Sequence, residues 1–103
     1  MELIQIFIPT ADQEGGSFPP QHFEDLKKEL TDQFGGVTIY ARSPAKGIWK
    51  PDPGSEETDN MVIYEILVQE MNTTYWAELK SRLEGTFQQE EIMMRYFTVC
   101  VVK

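Results

Sequence analysis

Two stretches of the chain repeat one apolar spacing: LKKELTDQFGG, starting at Leu26, and LKSRLEGTFQQ, starting at Leu79. Each carries Leu, Leu and Phe at successive four-residue steps (Leu26, Leu30, Phe34; Leu79, Leu83, Phe87). That spacing lines one face of an α-helix. An apolar, strand-like run precedes and follows each stretch. The chain therefore reads as strand-helix-strand twice over, the order of the split β-α-β, or ferredoxin-like, α+β fold. Right-handed crossovers then predict a four-stranded antiparallel sheet in spatial order 4-1-3-2, with both helices on one face. Many unrelated activities use this fold, so function must be argued from particular residues.

The punctuation agrees with that order. Residues 3–8 form the first strand, with Ile4, Ile6 and Ile8 on one face and Leu3, Gln5 and Phe7 on the other. Pro9 ends it. Pro19 and Pro20 mark the start of the first helix, and Gly35 marks its end. Residues 37–42 form the second strand, and residues 60–68 the third. Residues 43–58, SPAKGIWKPDPGSEET, make the longest irregular stretch, in which Ile48 and Trp49 extend a hairpin arm. Asn72 or Thr73 caps the second helix, which runs to about Phe87. The last strand is expected over residues 92–102. The expected core is Ile4, Ile6, Phe23, Leu26, Leu30, Phe34, Val62, Ile66, Leu79 and Leu83.

At 103 residues the chain has the size of one domain, and residues 1–103 are expected to form a single one. Its formal net charge of −8 makes it acidic and argues against phosphate backbones and anionic membrane surfaces as partners. The single cysteine, Cys100, rules out an intramolecular disulfide or a thiolate cluster. It reads as a small core residue of the last strand. The sequence carries no secretory or membrane-spanning signal, and a cytoplasmic location follows by default.

In a two-layer domain the sheet face away from the helices should be polar. Here it is not. With Ile4, Ile6 and Ile8 turned to the helices, Leu3 and Phe7 remain on the open side, as do Met61, Ile63, Leu67 and Tyr40. Monomers rarely leave such a strip exposed, so a homodimer or higher homo-oligomer is expected, with the sheets face to face around an enclosed space. Gln5, Arg42 and Glu65 share that face, and Arg95 is a further candidate on a strand whose register is ambiguous. They are polar anchors in an apolar cavity, or an Arg–Glu pair that fixes the register between subunits.

The candidate ligand-binding residues are Tyr40, Arg42, Trp49, Tyr64 and Glu65. Aromatic walls exclude water there, and a guanidinium can clamp a carboxylate or phosphate. The candidates for proton transfer are Glu65 and His22, the only histidine, which falls in the first turn of the first helix. A single histidine with scattered carboxylates has no metal-ligand spacing. The acidic run Glu56-Glu57-Thr58-Asp59 lacks the glycine and alternation of a calcium loop. Gly15-Gly16-Ser17 lacks the lysine and spacing of a phosphate loop and reads as a flexible loop. No metal and no cofactor are implied.

FGGVTIYARSPAKGIWK, residues 34–50, together with Gln88-Gln89-Glu90-Glu91-Ile92, resembles a group of small uncharacterised bacterial proteins of about this length. The resemblance covers most of the chain from Phe18 onward and brings no catalytic residues with it. The order of elements is also similar to that of the dimeric α+β barrel proteins, which include cofactor-independent monooxygenases and isomerases. Their active-site motifs are not visible here. The sequence thus points first to a homo-oligomeric domain that binds a small organic ligand or a partner without catalysis. The alternatives are a cofactor-independent enzyme of the dimeric-barrel kind and a pure interaction module.

Overall fold

The structure, a computed structural model, describes residues 1–42 and 61–103; of Arg42 it describes the backbone. The expected hairpin arm, with Ile48 and Trp49, lies outside the described residues. The elements follow in the order β1 (Glu2–Pro9), α1 (Pro20–Phe34), β2 (Thr38–Arg42), β3 (Met61–Val68), α2 (Thr73–Thr86) and β4 (Met93–Thr98). The sheet is antiparallel with strand order β2-β3-β1-β4, as the echoed halves predict.

Local chemistry sets the boundaries. Pro20 opens α1, where its missing N–H costs nothing. Gly35 closes α1 at φ 81°, and its N–H returns to the Thr31 carbonyl; that left-handed backbone suits glycine. The Asn72 side chain caps α2 by accepting a hydrogen bond from the Tyr75 N–H at 3.1 Å. Glu84 of α2 accepts from the Ile92 N–H at 2.9 Å and from Lys80 Nζ at 2.6 Å. This pins the turn that leads into β4.

One core lies between the sheet and the two helices. Ile4, Ile6 and Ile8 of β1 and Tyr64, Ile66 and Val68 of β3 meet Leu26 and Leu30 of α1 and Trp76, Leu79 and Leu83 of α2. Both helices therefore cover the same sheet face. Of the expected core, Phe23, Phe34 and Val62 are half-buried, packed at its margin. The core also takes in Phe18, Phe87 and Ile92.

The echoed phenylalanines lie at opposite ends of the helix pair. Phe34, at the end of α1, stacks on Trp76 at the start of α2, with ring centroids 5.0 Å apart. Phe87, just past α2, meets Phe18 at 5.2 Å and Phe23 at 5.1 Å, around the start of α1. Between the helices, Arg82 makes two hydrogen bonds to the Glu29 carboxylate, at 3.1 and 2.8 Å, and the Tyr75 hydroxyl donates to it at 2.7 Å.

Two expectations are corrected. β4 ends at Thr98, so Cys100 is exposed rather than in the core, and Val101 and Val102 are exposed as well. Residues 10–18 are also an ordered turn rather than a loose loop. Asp12 Oδ1 accepts from the backbone of Glu14 at 2.9 Å and of Gly16 at 2.7 Å. A side chain at position 16 would put its Cβ 2.9 Å from the Asp12 carboxylate, which is why glycine stands there. These amides are turned onto Asp12, not outward toward an anion.

Candidate functional site

Strand alternation sends Leu3, Gln5 and Phe7 of β1 away from the helices. Met61, Ile63, Glu65 and Leu67 of β3 follow by register, as do Tyr40 of β2 and Met93, Arg95 and Phe97 of β4. This open face is largely apolar; besides Thr38 and Arg42 of β2, it carries one hydrogen-bonded row that crosses all four strands. Gln5 stands opposite Arg95 on one side and Glu65 on the other. Arg95 Nε donates to Gln5 Oε1 at 2.8 Å. Gln5 Nε2 donates to Glu65 Oε2 at 2.6 Å. The Tyr40 hydroxyl donates to Glu65 Oε1 at 3.1 Å. The Gln5 amide can serve both neighbours only this way round, because a guanidinium cannot accept and a carboxylate cannot donate.

The row is bordered by apolar and aromatic side chains. The Arg95 guanidinium carbon lies 5.1 Å from the centre of the Phe7 ring, a cation–π contact. Phe7, Met61 and Ile63 form a second, small buried cluster on this face. Beyond it the face opens: Tyr40 and Leu67 are each 41% exposed and Phe97 44%. The row thus lies where buried apolar surface gives way to uncovered apolar surface.

Of the residues singled out by the sequence, Tyr40 and Glu65 are brought together. Arg42 ends β2 opposite Met61 on the same face; its side chain and Trp49 lie outside the described residues. Tyr64 does not join them. It is one residue from Glu65 and so points to the other side of the sheet, where it is 1% exposed and its hydroxyl donates to the Phe23 carbonyl at 3.1 Å. Burial, reinforced by nearby Glu24, pushes its phenol up to about 12, so it serves the core as a neutral donor. His22 is also on the helix side. Its ring meets Phe87 edge-on at 5.7 Å, and its Nδ1 is buried without a hydrogen-bond partner. The sheet stands between His22 and Glu65, so they do not form one catalytic pair.

Arg95 is the residue that sequence patterning left open. Its strand is apolar on both faces, and only the register with Gln5 settles its side. Among the described residues no group of three or more His, Cys, Asp or Glu side chains is placed to hold a metal ion. Nor is any described helix long and apolar enough to cross a membrane. A groove of about 160 Å³ lies on the helix side, lined by Trp76, Ala77, Lys80, Met94 and Tyr96 among others. Its lining also includes Arg95, which links it to the row through β4, and its other cation, Lys80, is held by Glu84 at 2.6 Å.

No protein-family model matches the sequence, and no curated protein does. The fold is similar to that of a phage SAM lyase solved in complex with S-methyl-5'-thioadenosine, with a TM-score of 0.63 and 16% sequence identity. The match covers 93% of this chain and 79% of that one. At that identity the likeness speaks to the fold.

Proposed function

We propose that the chain is a small single-domain protein of the cytoplasm that works as a homo-oligomer, at least a dimer, and binds a small organic ligand. Two copies bring their open sheet faces together and enclose the polar row. In this reading Tyr40, Arg42, Trp49 and Glu65 contact the ligand, together with Gln5 and Arg95. The observation that carries the reading is the row itself: one carboxylate and one guanidinium, linked through an amide, on a largely apolar face. A few convergent polar groups within apolar walls are what a small-molecule site requires. The acidic balance of the chain weighs against nucleic acid and anionic membranes as partners.

The ligand class we favour is a thioether nucleoside. Glu65 suits ribose hydroxyls as an acceptor, and the exposed Tyr40 and Phe97 rings suit a purine. The fold likeness to a protein solved with S-methyl-5'-thioadenosine makes that molecule the first probe. Sedimentation at micromolar concentration, followed by calorimetric titration with it, tests the reading. A protein of single-chain mass that takes up no nucleoside would overturn it.

A second reading, a cofactor-independent lyase, draws on the Tyr40–Glu65 pair, in which a carboxylate able to take a proton sits beside a hydroxyl. Incubation with S-adenosylmethionine and chromatography for S-methyl-5'-thioadenosine separates the two readings. Product from the wild type, lost in Glu65→Gln, establishes the lyase. Binding without product leaves the non-catalytic reading standing.

A further inference from the structure

We infer that Arg95 is an anion-selecting residue of the open-face site, and that Gln5 is the spacer that keeps it available. The inference rests on the ligand-binding reading above and adds the charge that the ligand must carry. Arg95 and Glu65 sit two strands apart, so their backbones are separated by roughly 10 Å at the usual strand spacing. Both side chains are long enough to meet across one intervening strand. A direct pair would neutralise each with the other and leave little for a ligand. Gln5 prevents that. Its carbonyl oxygen holds the guanidinium and its NH₂ holds the carboxylate, so the positive and negative ends stay apart.

The geometry of Arg95 favours a planar anion. Its bond to Gln5 is made through Nε. The contact with Phe7 steadies the guanidinium against the sheet. The Nη pair is then the edge suited to a carboxylate, which it can bind with two parallel hydrogen bonds. A ligand with a carboxylate at one end and a hydroxyl-bearing or cationic portion at the other matches the row from Arg95 to Glu65. Net charge does not forbid this: the chain is acidic as a whole, but along this face the row offers its own cation.

The test is a matched pair of probes that differ only at that end: S-methyl-5'-thioadenosine and its S-(3-carboxypropyl) analogue. The wild type should bind the carboxylate probe about tenfold more tightly, as charge-assisted hydrogen bonds allow, and the preference should shrink as salt is added. In Arg95→Gln the preference for the carboxylate probe should vanish, with circular dichroism and oligomer mass confirming the fold. Equal binding of both probes by the wild type overturns the inference and leaves the ligand-binding reading intact. A preference abolished by Arg42→Gln but kept in Arg95→Gln also overturns it, by placing the anion at the other edge of the sheet. Failure of the wild type to bind either probe removes this inference together with the reading beneath it.

Discussion

Tyr64 and Glu65 are neighbours in sequence and belong to different worlds in the fold. Tyr64 lies under α1 with its hydroxyl on a backbone carbonyl; Glu65 lies on the other side of the same strand, among exposed aromatics. The two sheet faces are comparably apolar, yet one is sealed by two helices and the other is left open beyond Phe7, Met61 and Ile63. The lesson is that hydrophobicity alone does not separate core from site. What separates them is whether polar groups are buried singly against backbone or gathered into a row at a boundary.

The comparison breaks most sharply by truncation. Ile6→Ala or Leu30→Ala, on the sealed side, should cost about 2–5 kcal/mol in urea unfolding. Phe97→Ala, on the open side, should cost less than about 1 kcal/mol at concentrations where the chain is monomeric. Similar losses for Ile6 and Phe97 would mean that the open face is already covered within one chain.

Charge insertion probes the open side directly. Phe7 and Ile63 are each only 7% exposed within the chain, so a glutamate there would harm the fold itself. Phe97→Glu or Leu67→Glu avoids that. Either should weaken self-association by about 2–3 kcal/mol, the cost of burying a polar group without a partner, as read by sedimentation. An unchanged mass would move the interface elsewhere. Smaller still is the ligand effect: Glu65→Gln should lower affinity for S-methyl-5'-thioadenosine about tenfold with the fold retained, measured by calorimetry.

The smallest expected effect comes from the sealed layer. Hydrogen bonds from Arg82 hold the Glu29 carboxyl below its ordinary value of 4.5. A carboxyl lowered in the folded state stabilises above its unfolded value and loses that contribution as pH falls through the folded one. Arg82→Ala should therefore cost under about 1 kcal/mol at pH 7 and progressively less below about pH 4.5. Urea unfolding of both proteins at neutral and acidic pH reads the difference. A gap that persists undiminished at low pH would assign Arg82 a packing role instead.

The sequence made the sealed side legible because two periods coincide there. The Leu-Leu-Phe helical stripes and the alternation in β1 and β3 point to the same interface, so fold order and most of the core could be read directly. Glu65 was also legible, as the one charged residue of β3, and Tyr40 followed by alternation along β2. β4 was not. As an edge strand with apolar residues on both faces, it carries no period that fixes its register or its end. Arg95 therefore stayed ambiguous and Cys100 was placed wrongly inside. Tyr64 was grouped with the site as an aromatic wall, yet alternation along β3 turns it to the helix side, opposite to Glu65. The ordered turn at Asp12 depends on one side chain reaching two amides, a tertiary detail that glycine spacing does not encode.

The strand order β2-β3-β1-β4 has a consequence for how the chain comes together. β1 and β2, the strands of the first half, are not adjacent, and neither are β3 and β4 of the second. Every strand pairing joins one half to the other. A polypeptide severed between β2 and β3 would yield two pieces, each holding a helix and two strands with no ladder between them. Neither piece can form a sheet until it finds its complement. Mixed together, the pieces should assemble as one event whose rate depends on their concentration, giving a split protein that reports the meeting of whatever each piece is fused to.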